Sequence, residues 1–342
     1  MSAVVERFDG PAAEWDAFVA TRDDATHCHR WAWRRVVERA YGHACPYLAA
    51  RGEDGSIRGV LPLVVVRGAG MGRHLVSMPY LNYGGPLGDD EAAGALAEAA
   101  AELAARLRCG SVELRCRNAA GVAMPPHPGK VTCLLALPEG GAEARWRAFP
   151  AKLRSQVRRA EKEGVEIRFG ADQVEPFFRV FARTMRDLGT PTHPLSFFRA
   201  VAGELGDDAW FASAWLRGRP VAGGCAIAGG GTVEMVWASA LREASPAAPN
   251  MALYWAVIRR AAEAGMRAFD FGRCTPGGGT HRFKQQWGTA DVPLPWLRSE
   301  RRPGAAVRPG TPGFALAQRV WRRLPVPVAT LIGPRIRRAI PL

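Results

Sequence analysis

Residues 269–288 read FDFGRCTPGGGTHRFKQQWG. Phe269, Asp270 and Phe271 read as the end of a buried strand, and Gly277, Gly278 and Gly279 as a flexible link. One lysine, Lys284, then sits between Phe283 and the run Gln285-Gln286-Trp287. A single lysine held among aromatics beside a strand end is suited to stabilising charge in a reaction. The same residues also fit an ordinary strand, turn and amphipathic helix, and a motif is a hypothesis until its structural context is known. Both readings stay open at this point. No G-x-S-x-G elbow occurs elsewhere in the chain.

Upstream of that stretch lies a recognisable order of elements. Residues 209–216 and 221–227 form a hairpin around Arg217-Gly218-Arg219-Pro220, followed by a strand at 233–239, a helix at 249–264 and a strand at 267–271. The first half repeats this order. Strands at 46–51 and 59–67 flank the turn Glu53-Asp54-Gly55-Ser56. A strand at 74–78, a loop at 82–86, an alanine-rich helix at 89–108 and a strand at 111–116 follow. The two copies, 47–116 and 209–272, share element order but little residue identity. That pattern predicts two related α/β halves, each a mixed sheet flanked by helices. Helices at 11–20 and 29–41 precede the first copy. A strand at 131–137, a long basic helix at 142–163, a strand at 165–169 and helices at 172–188 and 195–204 lie between the copies. The expected boundaries are 1–140, 141–298 and a C-terminal piece, 299–342. That piece opens with a Pro/Gly/Arg linker and ends in an apolar, arginine-bearing tail.

With 342 residues, 48% of them hydrophobic, the chain is long enough for two cores. No apolar run reaches the roughly 18–20 residues that span a bilayer. The first residues lack the basic start and apolar core of a signal peptide, so a cytoplasmic protein is expected. Seven scattered cysteines without a Cys-x-x-Cys pair read as buried small residues in a reducing compartment. His27 and His29 flank Cys28, yet no second ligand cluster completes a tetrahedral site, so no metal is expected. The formal charge of +14 points to a polyanion, an anionic membrane or an anionic substrate. Arginine far outnumbers lysine, and a genome rich in G and C would produce the same bias without any such partner.

Positive charge concentrates on AKLRSQVRRAEKEGV (151–165). Lys152, Arg154 and Arg158 are candidates for gripping phosphate, or for a merely solvated helix face. Arg273, Tyr254 and Trp287 are the further candidates for substrate contact, although Tyr254 at a helix start also fits a core role. Asp270 is a candidate base or a paired structural carboxylate. In the tail, Phe314, Leu316, Val320 and Trp321 are placed either to enter an anionic membrane or to dock on the protein itself.

Several stretches together resemble the Fem-like proteins, a double-GNAT group of aminoacyl- and acyltransferases. They are SMPYLNYGGPL (77–87), SVELRCRN (111–118), AKLRSQVRRAEKEGVEI (151–167), MRDLGTPTHPLSFF (185–198), PNMALYWAVI (249–258) and FDFGRCTPGGGTHRFKQQWG (269–288). The likeness is greatest to the FemAB-related proteins associated with exosortase/PEP-CTERM systems. It implies an α/β (α+β) fold of two tandem GNAT-like halves. It also implies transfer of an acyl or aminoacyl group to an amine or hydroxyl of a cell-envelope or exopolysaccharide precursor. By the same resemblance, the lysine of the family's terminal F-K motif falls on Lys284, with the role of meeting charge on the acyl carbonyl. The family's phosphate-gripping position falls on Arg154 or its neighbours. The donor is then a co-substrate, charged tRNA or acyl-CoA, rather than a permanently bound cofactor. Two alternatives accompany this reading. One is a CoA-dependent GNAT N-acetyltransferase using R-G-A-G-M-G (67–72), which matches the R-x-x-G-x-G pyrophosphate loop of that fold. The other is a non-catalytic component at an anionic membrane surface, peripheral to the inner face of the cytoplasmic membrane.

Overall fold

The computed structural model describes residues 3–68, 72–127, 129–300 and 312–340. Most of the expected linker, 301–311, and part of the 67–72 loop lie outside the described residues. The chain divides into two compact units. The first contains Met1–Gly129, Leu294–Phe314 and Arg335–Leu342, and the second Lys130–Pro293 and Ala315–Pro334.

The first unit contains β1 (Val4–Arg7), α1 (Ala12–Ala20), α2 (Ala32–Tyr41), β2 (Leu48–Arg51), β3 (Ile57–Leu61), β4 (Leu63–Gly68), β5 (Gly72–Ser77), β6 (Leu87–Gly88), α3 (Asp90–Arg106) and β7 (Ser111–Arg115). The run 59–67, expected as one strand, is divided at Pro62, which has no N–H to give a ladder. β3 therefore joins a sheet ordered β1-β2-β3-β6, while β4 pairs with β5. β5 and β7 run parallel through His74↔Ser111, Leu75↔Val112 and Val76↔Glu113, with α3 as the crossover. α3 starts where the Asp89 carboxylate accepts from the Ala92 N–H at 2.8 Å. Its Ala92, Leu96, Ala100 and Ala104, spaced four apart, bury one stripe against Leu61, Leu75 and Leu114. Gly68 pairs with Gly72, so R-G-A-G-M-G spans the end of an antiparallel hairpin and no helix follows it.

The loop after β5 is fixed from below. Met78 and Tyr80 adopt left-handed conformations (φ 47° and 74°), which side chains other than glycine rarely take. Arg115, fully buried, donates to the carbonyls of Leu81 (2.6 Å) and Met78 (3.3 Å) and to the Glu113 carboxylate (2.9 Å). Gly85 N–H donates to the Arg115 carbonyl at 2.9 Å, and a Cβ on Gly85 would sit 2.7 Å from the Cys116 Cα. This close approach requires glycine there.

The second unit contains β8 (Val131–Ala136), α4 (Gly141–Ala148), α5 (Ala151–Lys162), β9 (Glu166–Phe169), α6 (Val174–Leu188), α7 (Leu195–Leu205), β10 (Ala209–Leu216), β11 (Arg219–Gly229), β12 (Thr232–Ala240), α8 (Pro249–Glu263), β13 (Ala268–Cys274), α9 (Gly279–Gln285) and β14 (Ala290–Pro293). The expected helix 142–163 is two helices, because Pro150 lacks an N–H and forces Phe149 into an extended conformation. One seven-stranded sheet runs β14-β8-β13-β12-β11-β10-β9, and only β12 and β13 are parallel. The two units thus repeat one plan: antiparallel strands, a helical crossover, then a parallel strand.

Beyond β14 lie β15 (Trp296–Glu300), α10 (Pro312–Arg323) and α11 (Val326–Arg337). β15 pairs antiparallel with β7, from Trp296↔Arg115 to Glu300↔Ser111, and so completes the first unit's sheet. Conversely, β8, which lies inside the expected 1–140 half, belongs to the second unit's sheet. In the tail, Trp321 is buried, and the Arg322 guanidinium donates to the Leu188 carbonyl within the second unit. Trp321 therefore docks on the protein and is not placed for membrane insertion. Leu316 (62% exposed), Val320 (56%) and Leu331 (71%) do face outward. Among the described residues, no helix is long and apolar enough to cross a membrane.

Candidate active site

The parallel pair of the second unit parts early. β12 and β13 pair only through Thr232↔Ala268, Val233↔Phe269 and Glu234↔Asp270, although β12 continues to Ala240 and β13 to Cys274. Beyond Asp270 the ladder between β13 and β8 also shifts, between Asp270 and Arg273. This bulge is centred on Gly272, whose φ of 73° a β-carbon would strain. Asp270 and Lys284 hold it from its two polar sides. The Asp270 carboxylate accepts from the Gly272 N–H (2.7 Å) and from the Thr132 hydroxyl. The Lys284 ammonium, on α9, donates to the Gly272 carbonyl (2.6 Å) and the Arg273 carbonyl (3.0 Å). Both side chains are buried. Asp270 is therefore a latch on the backbone rather than an exposed base.

Burial lowers the pKa of Lys284 below the usual lysine value, and the nearby Cys274, Cys133, Asp270 and Glu234 oppose that shift. Two of the ammonium's three N–H donors are engaged by carbonyls, which leaves one for a further acceptor. An aromatic wall adjoins it. Tyr254 on α8 stacks on Phe271 at 5.2 Å with an 8° interplanar angle, and Phe283 packs edge-on to Tyr254 at 5.1 Å. Burial raises the Tyr254 phenol well above its usual range. Trp287 is fully buried against Phe149 and Phe271, and its indole N–H has no hydrogen-bond partner among the described residues.

Arg273 stands apart from this core. It lines an open cleft of about 350 Å³ together with Lys130, Cys274, Thr275 and Thr280. Lys130 donates to the Thr275 hydroxyl at 2.6 Å. Sequence reasoning missed Lys130, Thr275 and Thr280. The threonines flanking the glycine link were the available signal, whereas Lys130 reaches the cleft only through the pairing of β8 with β13. The cations of α5 are not among the cleft's lining residues. Leu153, Val157 and Ala160 bury the apolar face of α5, which leaves Lys152 and Arg158 exposed. Arg158 lies over the Trp146 ring at 5.7 Å. Arg154 is half-buried, with its Nε lacking a partner among the described residues. The structure thus separates the sequence candidates. Lys284 lies behind the bulge, Arg273 in the cleft, Tyr254 and Trp287 in the core, and the three basic residues on α5.

Residues 147–285 match the family described as Acetyltransferase (GNAT) domain. Among solved structures, FemX aligns over 86% of this chain and 97% of its own, at 15% identity and a TM-score of 0.66. A tandem GNAT protein from the clavulanic acid biosynthesis pathway aligns over 88% of this chain and 99% of its own, at 14% identity and a TM-score of 0.51. The chain has a tandem GNAT fold. A third structure of similar fold is the C-terminal domain of a putative lysylphosphatidylglycerol synthetase from Agrobacterium fabrum. It covers 86% of this chain and 93% of its own, at 12% identity and a TM-score of 0.56. No curated protein matches the chain by sequence. The matched residues lie in the second unit, which also contains the parted parallel strands β12 and β13.

Proposed function

We propose that this chain is a Fem-like transferase that moves an acyl or aminoacyl group onto an amine or hydroxyl of an anionic acceptor, a cell-envelope or exopolysaccharide precursor. The observation that carries the reading is the parted β12/β13 pair with Lys284 pinned at the bulge beside it. The acceptor amine or hydroxyl attacks the acyl carbonyl, and negative charge builds on that oxygen and is met by the remaining N–H of Lys284. Collapse then breaks the bond to the donor's ester oxygen or thioester sulfur, which leaves with the proton the acceptor gives up. A preset donor in a buried site stabilises such charge far better than water does. Arg273 and Lys130 then hold an anionic group of acceptor or donor, and Lys152, Arg154 and Arg158 hold phosphates of a larger donor such as charged tRNA. The outward Leu316, Val320 and Leu331, interspersed with arginines, suit a peripheral contact with anionic membrane where a lipid-linked acceptor resides.

An acyl-CoA donor is the second reading, favoured by the family match over 147–285. Against its usual pose, the connection from β12 to α8 is a glycine-free turn. α8 also opens on Pro249, which has no N–H to give a pyrophosphate. The deciding experiment incubates the full chain separately with charged tRNA and with labelled acetyl-CoA, and reads transfer to extracted envelope precursors. Transfer from charged tRNA that falls about 10²–10³-fold in Lys284→Ala supports the reading. Full turnover in a folded Lys284→Ala removes the lysine's role, and saturable transfer from acetyl-CoA alone moves the protein to the CoA-dependent class.

A further inference from the structure

We propose that Cys133, Cys274 and His281, with Asp291 behind the imidazole, form a binding site for a soft divalent cation of the zinc class. Three adjacent strands and one helix build it. In the order β14-β8-β13, Asp291 pairs directly with Cys133, while Cys274 pairs with Val131, two residues before Cys133. Side chains alternate along a strand, so Asp291, Cys133 and Cys274 share one face. α9 supplies His281, and all three ligand candidates are buried.

The distances suit a tetrahedral ion. The two sulfurs lie 3.4 Å apart. Two zinc–sulfur bonds of about 2.3 Å at the tetrahedral angle separate their sulfurs by roughly 3.7 Å. One ligand atom from each of Cys133, Cys274 and His281 falls within 4.8 Å of the others. The imidazole is already set in the tautomer a metal needs. Its Nδ1 accepts from the Gly277 N–H at 3.0 Å and therefore carries the lone pair, so Nε2 carries the proton and donates to Asp291 Oδ2 at 2.7 Å. A carboxylate holding the far N–H of a ligating histidine is the usual orienting partner in zinc sites. A cation at Nδ1 takes the lone pair that the Gly277 amide now shares. Gly277 sits in an open turn (φ 76°, nothing within 4 Å of a built Cβ), and binding at Nδ1 requires its amide to turn aside.

Charge balance favours the same occupant. Two thiolates neutralise the charge of a dication. Cys274 also lines the open cleft, which gives a cation and a fourth ligand a route to the site. Soft thiolate and imidazole ligands select zinc-like ions over magnesium or calcium. The inference does not depend on the transfer reaction proposed above.

The test titrates the reduced, chelator-treated full chain with Co²⁺ and records thiolate-to-cobalt charge-transfer absorption and visible ligand-field bands, followed by displacement with Zn²⁺. Saturation at one Co²⁺ per chain is expected, with bands abolished by Zn²⁺. Cys133→Ser and Cys274→Ser are expected to remove the charge-transfer band. Asp291→Asn is expected to weaken binding about 10–100-fold while the bands remain. Cys225→Ala, a buried cysteine on β11, is expected to change nothing. If the serine variants do not fold, His281→Gln is read in the same way, and wild-type thiols are alkylated with and without Zn²⁺. Protection confined to Cys133 and Cys274 supports the site. A folded, reduced wild type that shows no charge-transfer band overturns the proposal, as does a band unchanged in folded Cys133→Ser, Cys274→Ser and His281→Gln.

Discussion

Replacing Arg115 with methionine should destabilise the first unit by about 3–5 kcal/mol, the cost of breaking a buried ion pair from one side. The structure supplies the reasons. The guanidinium is fully buried and donates to Glu113, Leu81 and Met78, with the Trp296 ring 4.3 Å from its Cζ. Methionine keeps some of the packing on Trp296 and removes every one of those donors. Burial alone would raise the Glu113 pKa, yet Arg115 and Arg298 hold it below the usual glutamate value. Without Arg115, the remaining guanidinium is that of Arg298, at 3.8 Å, with a weaker contribution from His127. The folded pKa of Glu113 should then rise above its unfolded value. The loss is therefore largest at neutral pH and eases as pH falls through the raised value. Urea denaturation followed by tryptophan fluorescence measures this. With a slope of roughly 2 kcal/mol per molar urea, the midpoint should drop by about 2 M. The paired variant Glu113→Leu/Arg115→Met should recover most of the loss, because no orphan charge remains. A loss below about 1 kcal/mol in Arg115→Met, or a paired variant no better than the single one, would refute the reasoning.

Lys284→Met should cost the second unit about 1–3 kcal/mol, since two charge-assisted bonds at the bulge are lost while the burial of an ammonium is relieved. Unchanged thermal unfolding would remove the pinning role. His29 accepts from the Thr26 N–H at Nδ1 and donates to the Gly85 carbonyl from Nε2, and burial lowers its pKa to about 4. Its depressed value means that the unfolded chain takes up a proton first. Stability should therefore fall as pH drops from 6.5 towards 4, by up to about 3 kcal/mol, and His29→Gln should flatten the slope of urea midpoint against pH. Leu316→Asp with Val320→Asp should abolish binding to anionic phosphatidylglycerol vesicles without altering the melting temperature, because both side chains are more than half exposed. Undiminished vesicle binding would exclude that face.

Much of the fold was legible because it rests on local signals. The apolar run at Phe269–Phe271 and the hairpin around Arg217-Gly218 announce strands through side chains that must be buried together. The repeated order of strand, helix and strand follows from the crossover that a parallel pair demands. Pro62 and Pro150 carried readable breaks that a purely periodic reading passed over. Trp296–Glu300 was not legible as a strand of the first sheet, because the strand it pairs with, Ser111–Arg115, lies far upstream. At the candidate site, the aromatic neighbours singled out Lys284. Nothing local shows that its ammonium is directed to two carbonyls, since that depends on a bulge set by the left-handed φ of Gly272. The meeting of Lys130 with Arg273, and of Cys133 with Cys274, likewise needs the pairing of β8 with β13.

The position of β15 sets a schedule for synthesis. Trp296 follows Arg115 by roughly 180 residues, which at about 5–20 residues per second is roughly 10–40 s on the ribosome. Throughout that interval the outer edge of β7 has no partner strand, and the ring that closes over Arg115 does not yet exist. An open edge of this kind is a template for pairing with the wrong chain. The nascent first unit therefore carries an unpaired β7 edge until the second unit has been made. A ribosome that stalls anywhere before Trp296 releases a sheet that no folding of the emerged chain can finish.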